Sequence, residues 1–318
     1  MSHLKKFVST AMAVIMVAGS VPVIVLAAPE NGWVKKDGKW YYYEDGKKLK
    51  NTTAHDGSKL YLLDSKGARI TKKKGWVQIS SKVETKYGDK YTVKDWYYVG
   101  TKGKVATGWK KIGKKWYLFD YAWGQMAHST AVYKSGKFRL LDDNGKMVTK
   151  KGWYKIKHVD YDEYGDKTTT SVWYYVTSKG VAAKGFKTLK GKKYYFGDDG
   201  VMRVNEIISI KNEETGAYKY YVAKKDGTVP TKKGWVTLKI TKKAKSYFYA
   251  AKTTTGTKTV KVYVTKGGKL QTGFKTISGI KHYFGPQMYA NTSWYDEANK
   301  TYYYFDSNGK ITKTEKFN

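Results

Sequence analysis

Hydrophobic residues in this chain come in short pulses. After an apolar opening at residues 1–27, no long hydrophobic run returns and no stretch shows helical three-to-four spacing. Eleven pulses rich in aromatic or β-branched residues stand at 40–43, 60–63, 96–99, 116–119, 138–141, 173–176, 194–196, 220–222, 262–264, 282–284 and 302–305. A shorter apolar run and a turn precede each pulse. In Gly32-Trp33-Val34-Lys35-Lys36-Asp37-Gly38-Lys39-Trp40-Tyr41-Tyr42-Tyr43, two short strands flank Asp-Gly, a strong hairpin signal. A second turn follows, as in Glu44-Asp45-Gly46-Lys47 or Asp142-Asp143-Asn144-Gly145-Lys146. One hairpin alone is marginal in water. Stacked hairpins bury their aromatic faces on one another and share a continuous core. The expected fold is all-β: a solenoid of tandem β-hairpin repeats with three longer projecting β-ribbons.

The ribbons are predicted from a longer repeat. Lys74-Gly75-Trp76 recurs as Lys151-Gly152-Trp153 and Lys233-Gly234-Trp235, an interval of about eighty residues. The chain then divides into a leader at 1–27, short hairpin repeats at 28–70, and long repeats at 71–148, 149–230 and 231–318. In each long repeat the first unit is stretched, over 77–95, 154–172 and 236–261. Turn signals lie near the centres, at Tyr87-Gly88-Asp89-Lys90, Tyr164-Gly165-Asp166-Lys167 and Thr254-Thr255-Gly256-Thr257. Two-stranded ribbons are expected there, contacting a partner or pairing along the rod; disordered loops are the alternative.

The opening has two lysines, Lys5 and Lys6, then an apolar run that ends at Val25-Leu26-Ala27. This reads as a secretory signal peptide cut after Ala27 or Ala28, with no transmembrane segment in the mature chain. An uncleaved anchor is the rival reading. The C-terminal residues show neither a hydrophobic tail nor a sorting motif, so attachment to a cell is expected to be non-covalent. With no Cys among 318 residues, disulfides and thiolate metal sites are excluded.

Charge changes the picture of the surface. The net charge is +35, and all but three of the 61 cationic side chains are lysine, the exceptions being Arg69, Arg139 and Arg203. Lysine is a hydrated point charge, whereas arginine supplies the rigid fork of bidentate recognition. Such a surface suits diffuse attraction to a polyanion, or simply guards turns and strand edges. Specific nucleic-acid recognition is not expected.

Gly-Trp, a short turn, Trp-Tyr-Tyr, then Asp/Asn-Gly-Lys and a hydrophobic residue resembles the cell-wall-binding repeat family. That family includes choline-binding repeats, streptococcal glucan-binding repeats and the carbohydrate-binding repeats of clostridial toxins. The likeness is carried by residues 32–49, 108–126, 185–202, 273–288 and 301–311, with 185–196 closest to the toxin type. The resemblance implies aromatic ligand sites between consecutive hairpins, with Trp33, Trp40, Tyr42, Trp96, Trp109, Trp116, Tyr117, Trp173, Phe186 and Tyr194 as candidates. The best local group is Trp96, Trp109, Trp116 and Tyr117. Its counterparts are Trp173, Phe186, Tyr194 and Tyr195, then Val262, Phe274, His282 and Tyr283. Tryptophan fades along this series, which argues against a row of equal choline sites. The same rings can equally be core.

No catalytic residue, metal site or cofactor is expected. His158 near Asp160, Asp162 and Glu163 has the composition of a metal site but reads better as a solvated strand. No nucleophile elbow, zinc helix or phosphate loop occurs. Adjacent acids such as Asp142-Asp143 sit in turns, whereas glycoside hydrolysis needs carboxylates facing across a cleft. The expected function is that of a secreted, non-catalytic, surface-associated protein binding cell-wall polysaccharide, teichoic acid or another glycan, with choline a further candidate. A charge-driven polyanion binder or adhesin, or the binding subunit of a separate enzyme or toxin, are the alternatives.

Overall fold

The structure, a computed structural model, describes residues 31–71, 74–85, 87–161, 166–244 and 254–317. The apolar leader and the Asp162-Glu163 pair lie outside them. Eleven antiparallel hairpins follow one another: Gly32–Lys36 with Lys39–Glu44, Thr52–Asp56 with Lys59–Leu63, Gly75–Glu84 with Lys90–Val99, Gly108–Ile112 with Lys115–Phe119, Thr130–Lys134 with Lys137–Leu141, Gly152–Tyr161 with Lys167–Val176, Gly185–Leu189 with Lys192–Phe196, Glu206–Lys211 with Tyr218–Ala223, Gly234–Ala244 with Thr254–Val264, Gly273–Ile277 with Ile280–Phe284, and Thr292–Asp296 with Thr301–Phe305. We number them one to eleven. Every aromatic pulse is the second strand of a hairpin. Among the described residues, no helix is long and apolar enough to cross a membrane.

Backbone hydrogen bonds lock each of hairpins two to ten to the one before. The linker after hairpin two sends the Arg69 amide to the Trp40 carbonyl of hairpin one. Val105 repeats this toward Leu60, Met126 toward Trp96, Met147 toward Trp116, Ala182 toward Phe138, Met202 toward Trp173, Val229 toward Lys193, Leu270 toward Tyr220 and Met288 toward Lys261. Separate sheets, two-stranded except for the three-stranded first and last, thereby become a continuous rod. Sharp turns aim the linkers. Asp142 accepts the amides of Asn144 and Lys146, and Gly145 takes φ +72°, a conformation glycine adopts without strain.

The core is divided among the junctions between hairpins. Aliphatic residues fill every third one. Leu60 and Leu62 of hairpin two meet Val77, Ile79 and Val99 of hairpin three. Leu140 of hairpin five meets Ile156 and Val176 of hairpin six. Val222 of hairpin eight meets Leu238, Val260, Val262 and Val264 of hairpin nine. Each fully buried side chain of this type contributes about 1.5–3 kcal/mol, offsetting the entropy of ordering short strands. The junctions after hairpins three, six and nine are aromatic instead.

Hairpins three, six and nine are the long ones, with strands of 10 or 11 residues against 5 or 6 in the other hairpins. The first two ribbons meet along the rod: Tyr91 of hairpin three stacks on Tyr161 of hairpin six, centroids 4.5 Å apart and planes within 14°. The third ribbon departs from expectation. Thr254-Thr255-Gly256-Thr257 is strand, with Gly256 opposite Lys242 and Thr254 opposite Ala244. One glycine among β-branched threonines is a weaker turn signal than the ladder around it.

Candidate functional site

One arrangement recurs where consecutive hairpins meet. The second residue of a hairpin's first strand projects a ring onto its cross-strand neighbour and onto the next hairpin. At junction three-four, Trp76 lies 5.3 Å from Tyr98, 4.9 Å from Tyr117 and 6.5 Å from Trp96. Phe119, fully buried, lies 5.8 Å from it as the floor, next to Met126. Junction six-seven repeats this almost to the ångström: Trp153 lies 5.2 Å from Tyr175, 5.0 Å from Tyr194, 6.3 Å from Trp173 and 5.8 Å from Phe196. The floor phenyls are tilted against the central indoles, and the other rings stand edge to face, the geometry favoured by their quadrupoles. Trp96 and Trp173 are each 40% exposed. The result is a half-open cage of two indoles and two phenols over a phenyl floor. Its faces attract a cation and its flat walls suit the apolar side of a sugar ring.

Junction nine-ten keeps the frame and changes the chemistry. Trp235 lies 5.1 Å from Tyr263, 5.3 Å from His282 and 5.8 Å from Phe284. The register puts Lys261 opposite Thr237, where Trp96 stands opposite Gln78 and Trp173 opposite Lys155. An ammonium thus replaces one indole, and a histidine replaces the tyrosine. His282 is only 4% exposed, with Nδ1 3.1 Å from the Gly309 carbonyl. Burial holds its pKa below the ordinary 6.5. The unfolded chain therefore takes up the proton first as pH falls. Stability of this end should be constant above about pH 6.5 and decline below it. Thermal unfolding followed from pH 7.5 to 5 checks this, with His282→Tyr losing the acid-dependent component.

The sequence candidates fall at different junctions. Trp96 and Tyr117 share Trp76; Trp173 and Tyr194 share Trp153. Trp109 belongs to the next junction, beside Lys134 of hairpin five, and Trp116 is exposed on hairpin four. Trp33 lies 5.3 Å from Tyr42 and 5.9 Å from Tyr61, while Trp40 is exposed on the same hairpin. Phe186 contacts Tyr195 and Tyr221. The structure thus separates Trp109 from Trp96. It also replaces Val262, which is fully buried, with Lys261 as the counterpart of Trp96. Trp76, Trp153 and Trp235 are the central rings that the sequence candidates lacked, although the Gly-Trp repeat marks all three. Among the described residues, no three His, Asp or Glu side chains converge as a metal site. His158 Nε2 instead lies 3.4 Å from the Tyr174 hydroxyl.

A family model described as "Putative cell wall binding repeat" matches residues 31–46, 107–126, 184–202 and 292–311. These cover hairpins one, four, seven and eleven. Glucosyltransferase-S of Streptococcus mutans serotype c is 28% identical over 237 residues, 70% of this chain and 14% of that protein. Glucosyltransferase-I of Streptococcus downei is 25% identical over 301 residues, 89% of this chain and 16% of that protein. The chain thus spans a small fraction of the length of either relative. Among solved structures, CbpJ from Streptococcus pneumoniae is 20% identical, with a TM-score of 0.34, over 89% of this chain and 94% of that one. Four hairpins of the chain, one, four, seven and eleven, thus match the model of the cell-wall-binding repeat.

Proposed function

We propose that the chain is a secreted, non-catalytic binding protein for cell-wall or other glycan polymers, held non-covalently at a Gram-positive surface. The observation that carries this reading is the near-identity of the cages around Trp76 and Trp153. Two equivalent, half-open aromatic sites on one rod suit a repetitive polymer, because linked sites raise avidity without new contacts. Each cage accepts a quaternary ammonium such as choline on a wall polymer, or stacks on a sugar ring. The glucosyltransferase relatives are consistent with a glucan as ligand. The lysine surface adds long-range attraction to phosphate-bearing wall chains.

A charge-driven reading has its own support in the net charge of +35. Salt separates the two. Cosedimentation with purified Gram-positive walls should persist at about 1 M NaCl, where the Debye length falls to about 3 Å, and free choline or soluble glucan should release the protein. Loss of binding across moderate salt, with a steep slope against log salt, would make teichoic acid or another polyanion the principal ligand. Recovery only in the supernatant at low salt would sink both readings.

A further inference from the structure

Every third junction along the rod holds a cation of the chain's own against its rings. At junction one-two, the Arg69 guanidinium carbon lies 3.2 Å from the centre of the Tyr61 ring and 5.5 Å from that of Trp33. At junction four-five, Lys134 Nζ lies 4.9 Å from Trp109. At junction seven-eight, Lys193 Nζ lies 4.2 Å from Phe186 and 5.5 Å from Tyr221. At junction ten-eleven, Lys281 Nζ lies 4.5 Å from Phe274, which itself packs on Tyr303. The two matching cages differ. Among the described residues, no cation lies over Trp76, Trp96 or Tyr117, and Lys155 reaches only Trp173, at 6.0 Å.

Arg69 shows how the filling is built. Its amide donates to Trp40, as Met126 does to Trp96 and Met202 to Trp173. It therefore stands at the position where the open cages have methionine. From there its guanidinium reaches the two rings that correspond to Trp76 and Tyr117. Arg69 Nε is buried and, among the described residues, has no hydrogen-bond partner. A buried polar group of a charged side chain needs compensation, and here the ring faces supply it. Arginine suits this better than lysine because its weakly hydrated plane stacks on an aromatic face.

We infer that Arg69 is a tethered ligand that fills the cage at junction one-two, with Lys134, Lys193 and Lys281 occupying the equivalent junctions. External quaternary ammonium groups are then admitted only at the open cages of junctions three-four and six-seven. A tethered cation competes at the effective concentration of an intramolecular group, in the millimolar range or above. A single exposed cage has only cation–π attraction with which to displace it. The inference deepens the proposed function by assigning which cages take ligand, and it rests on that reading.

Calorimetric titration with choline chloride tests it. Arg69→Met should raise the stoichiometry by about one choline per chain, because it vacates two ring faces. Adding Trp33→Ala to Arg69→Met should remove that gain. If the unsubstituted protein binds choline and Arg69→Met adds nothing, the tethered-ligand inference is overturned while the open cages stand. Binding by Arg69→Met alone would uphold the inference and sink the open cages as choline sites. No binding by either protein would overturn both. Should Arg69→Met fail to fold, Lys193→Met asks the same question at junction seven-eight, with the same gain expected and no gain decisive against it.

Discussion

Replacing Trp76 by alanine should both empty junction three-four of ligand and weaken the rod locally by about 2–3 kcal/mol, short of the ~3–5 kcal/mol of a fully buried Trp→Ala because this ring is half-exposed. Trp76 touches Tyr98 and Phe119 within the packed junction as well as the walls of the cage. Trp96→Ala is the contrasting change. Trp96 is exposed and contributes to the cage more than to the core. Its loss should cost less than about 1 kcal/mol of stability, while affinity at that junction falls about tenfold, the equivalent of ~1.4 kcal/mol. Urea unfolding and ligand titration of both variants separate the effects. Equal ligand affinity in Trp96→Ala and the unsubstituted protein would show that this cage is core alone. Trp153→Ala and Trp173→Ala should behave as the same pair at junction six-seven.

Gly145→Ala should destabilise by about 2–4 kcal/mol, combining a left-handed backbone with overpacking. The residue takes φ +72°, and a Cβ there would stand 2.4 Å from Met126 Sδ and 2.7 Å from its Cε. Gly227 against Met202 and Gly309 against Met288 repeat the contact, so a turn glycine closing on the preceding linker methionine is a stacking device of the rod. Gly185→Ala is the control: φ is +66°, but nothing lies within 4 Å of the added carbon, so only the backbone cost remains. Combining Gly145→Ala with Met126→Ala should recover part of the loss, because the two side chains compete for one space. Full additivity in that double-mutant cycle would rule out the steric account.

The hairpins themselves were legible because each is a local object. Turn residues such as Asp37-Gly38 and the alternation around them set a strand pair without help from distant parts of the chain. The three ribbons were legible for the same reason, since a strand lengthens wherever β-branched and polar residues continue to alternate. The end of the third ribbon was not. Gly256 carries a turn signal, yet the ladder runs through it from Lys261 to Thr254.

The candidate site was half legible. Aligned on their first residue, the pulses pair Val262 with Trp96 and Tyr194 with Trp116. The ladders align the pulses on their last residue, opposite the hairpin's opening glycine, which pairs Lys261 with Trp96 and Lys193 with Trp116. A lysine standing where a tryptophan is expected looks like surface decoration in a chain with 61 cationic side chains. Counting three residues back from the end of each pulse exposes Lys193, Lys261 and Lys281 as substitutions within the cage row.

Sequence alone therefore determined the class of fold, the number of hairpins and the repetition of aromatic rings, because hairpin geometry depends on contacts only a few residues apart. Tertiary structure decided which rings meet, which junctions are aliphatic, and which are filled by Arg69, Lys134, Lys193 or Lys281. Those choices depend on how each linker hydrogen-bonds to the hairpin before it. That stacking brings together residues from different hairpins, such as Trp33 with Tyr61 and Arg69, whose proximity no local pattern encodes.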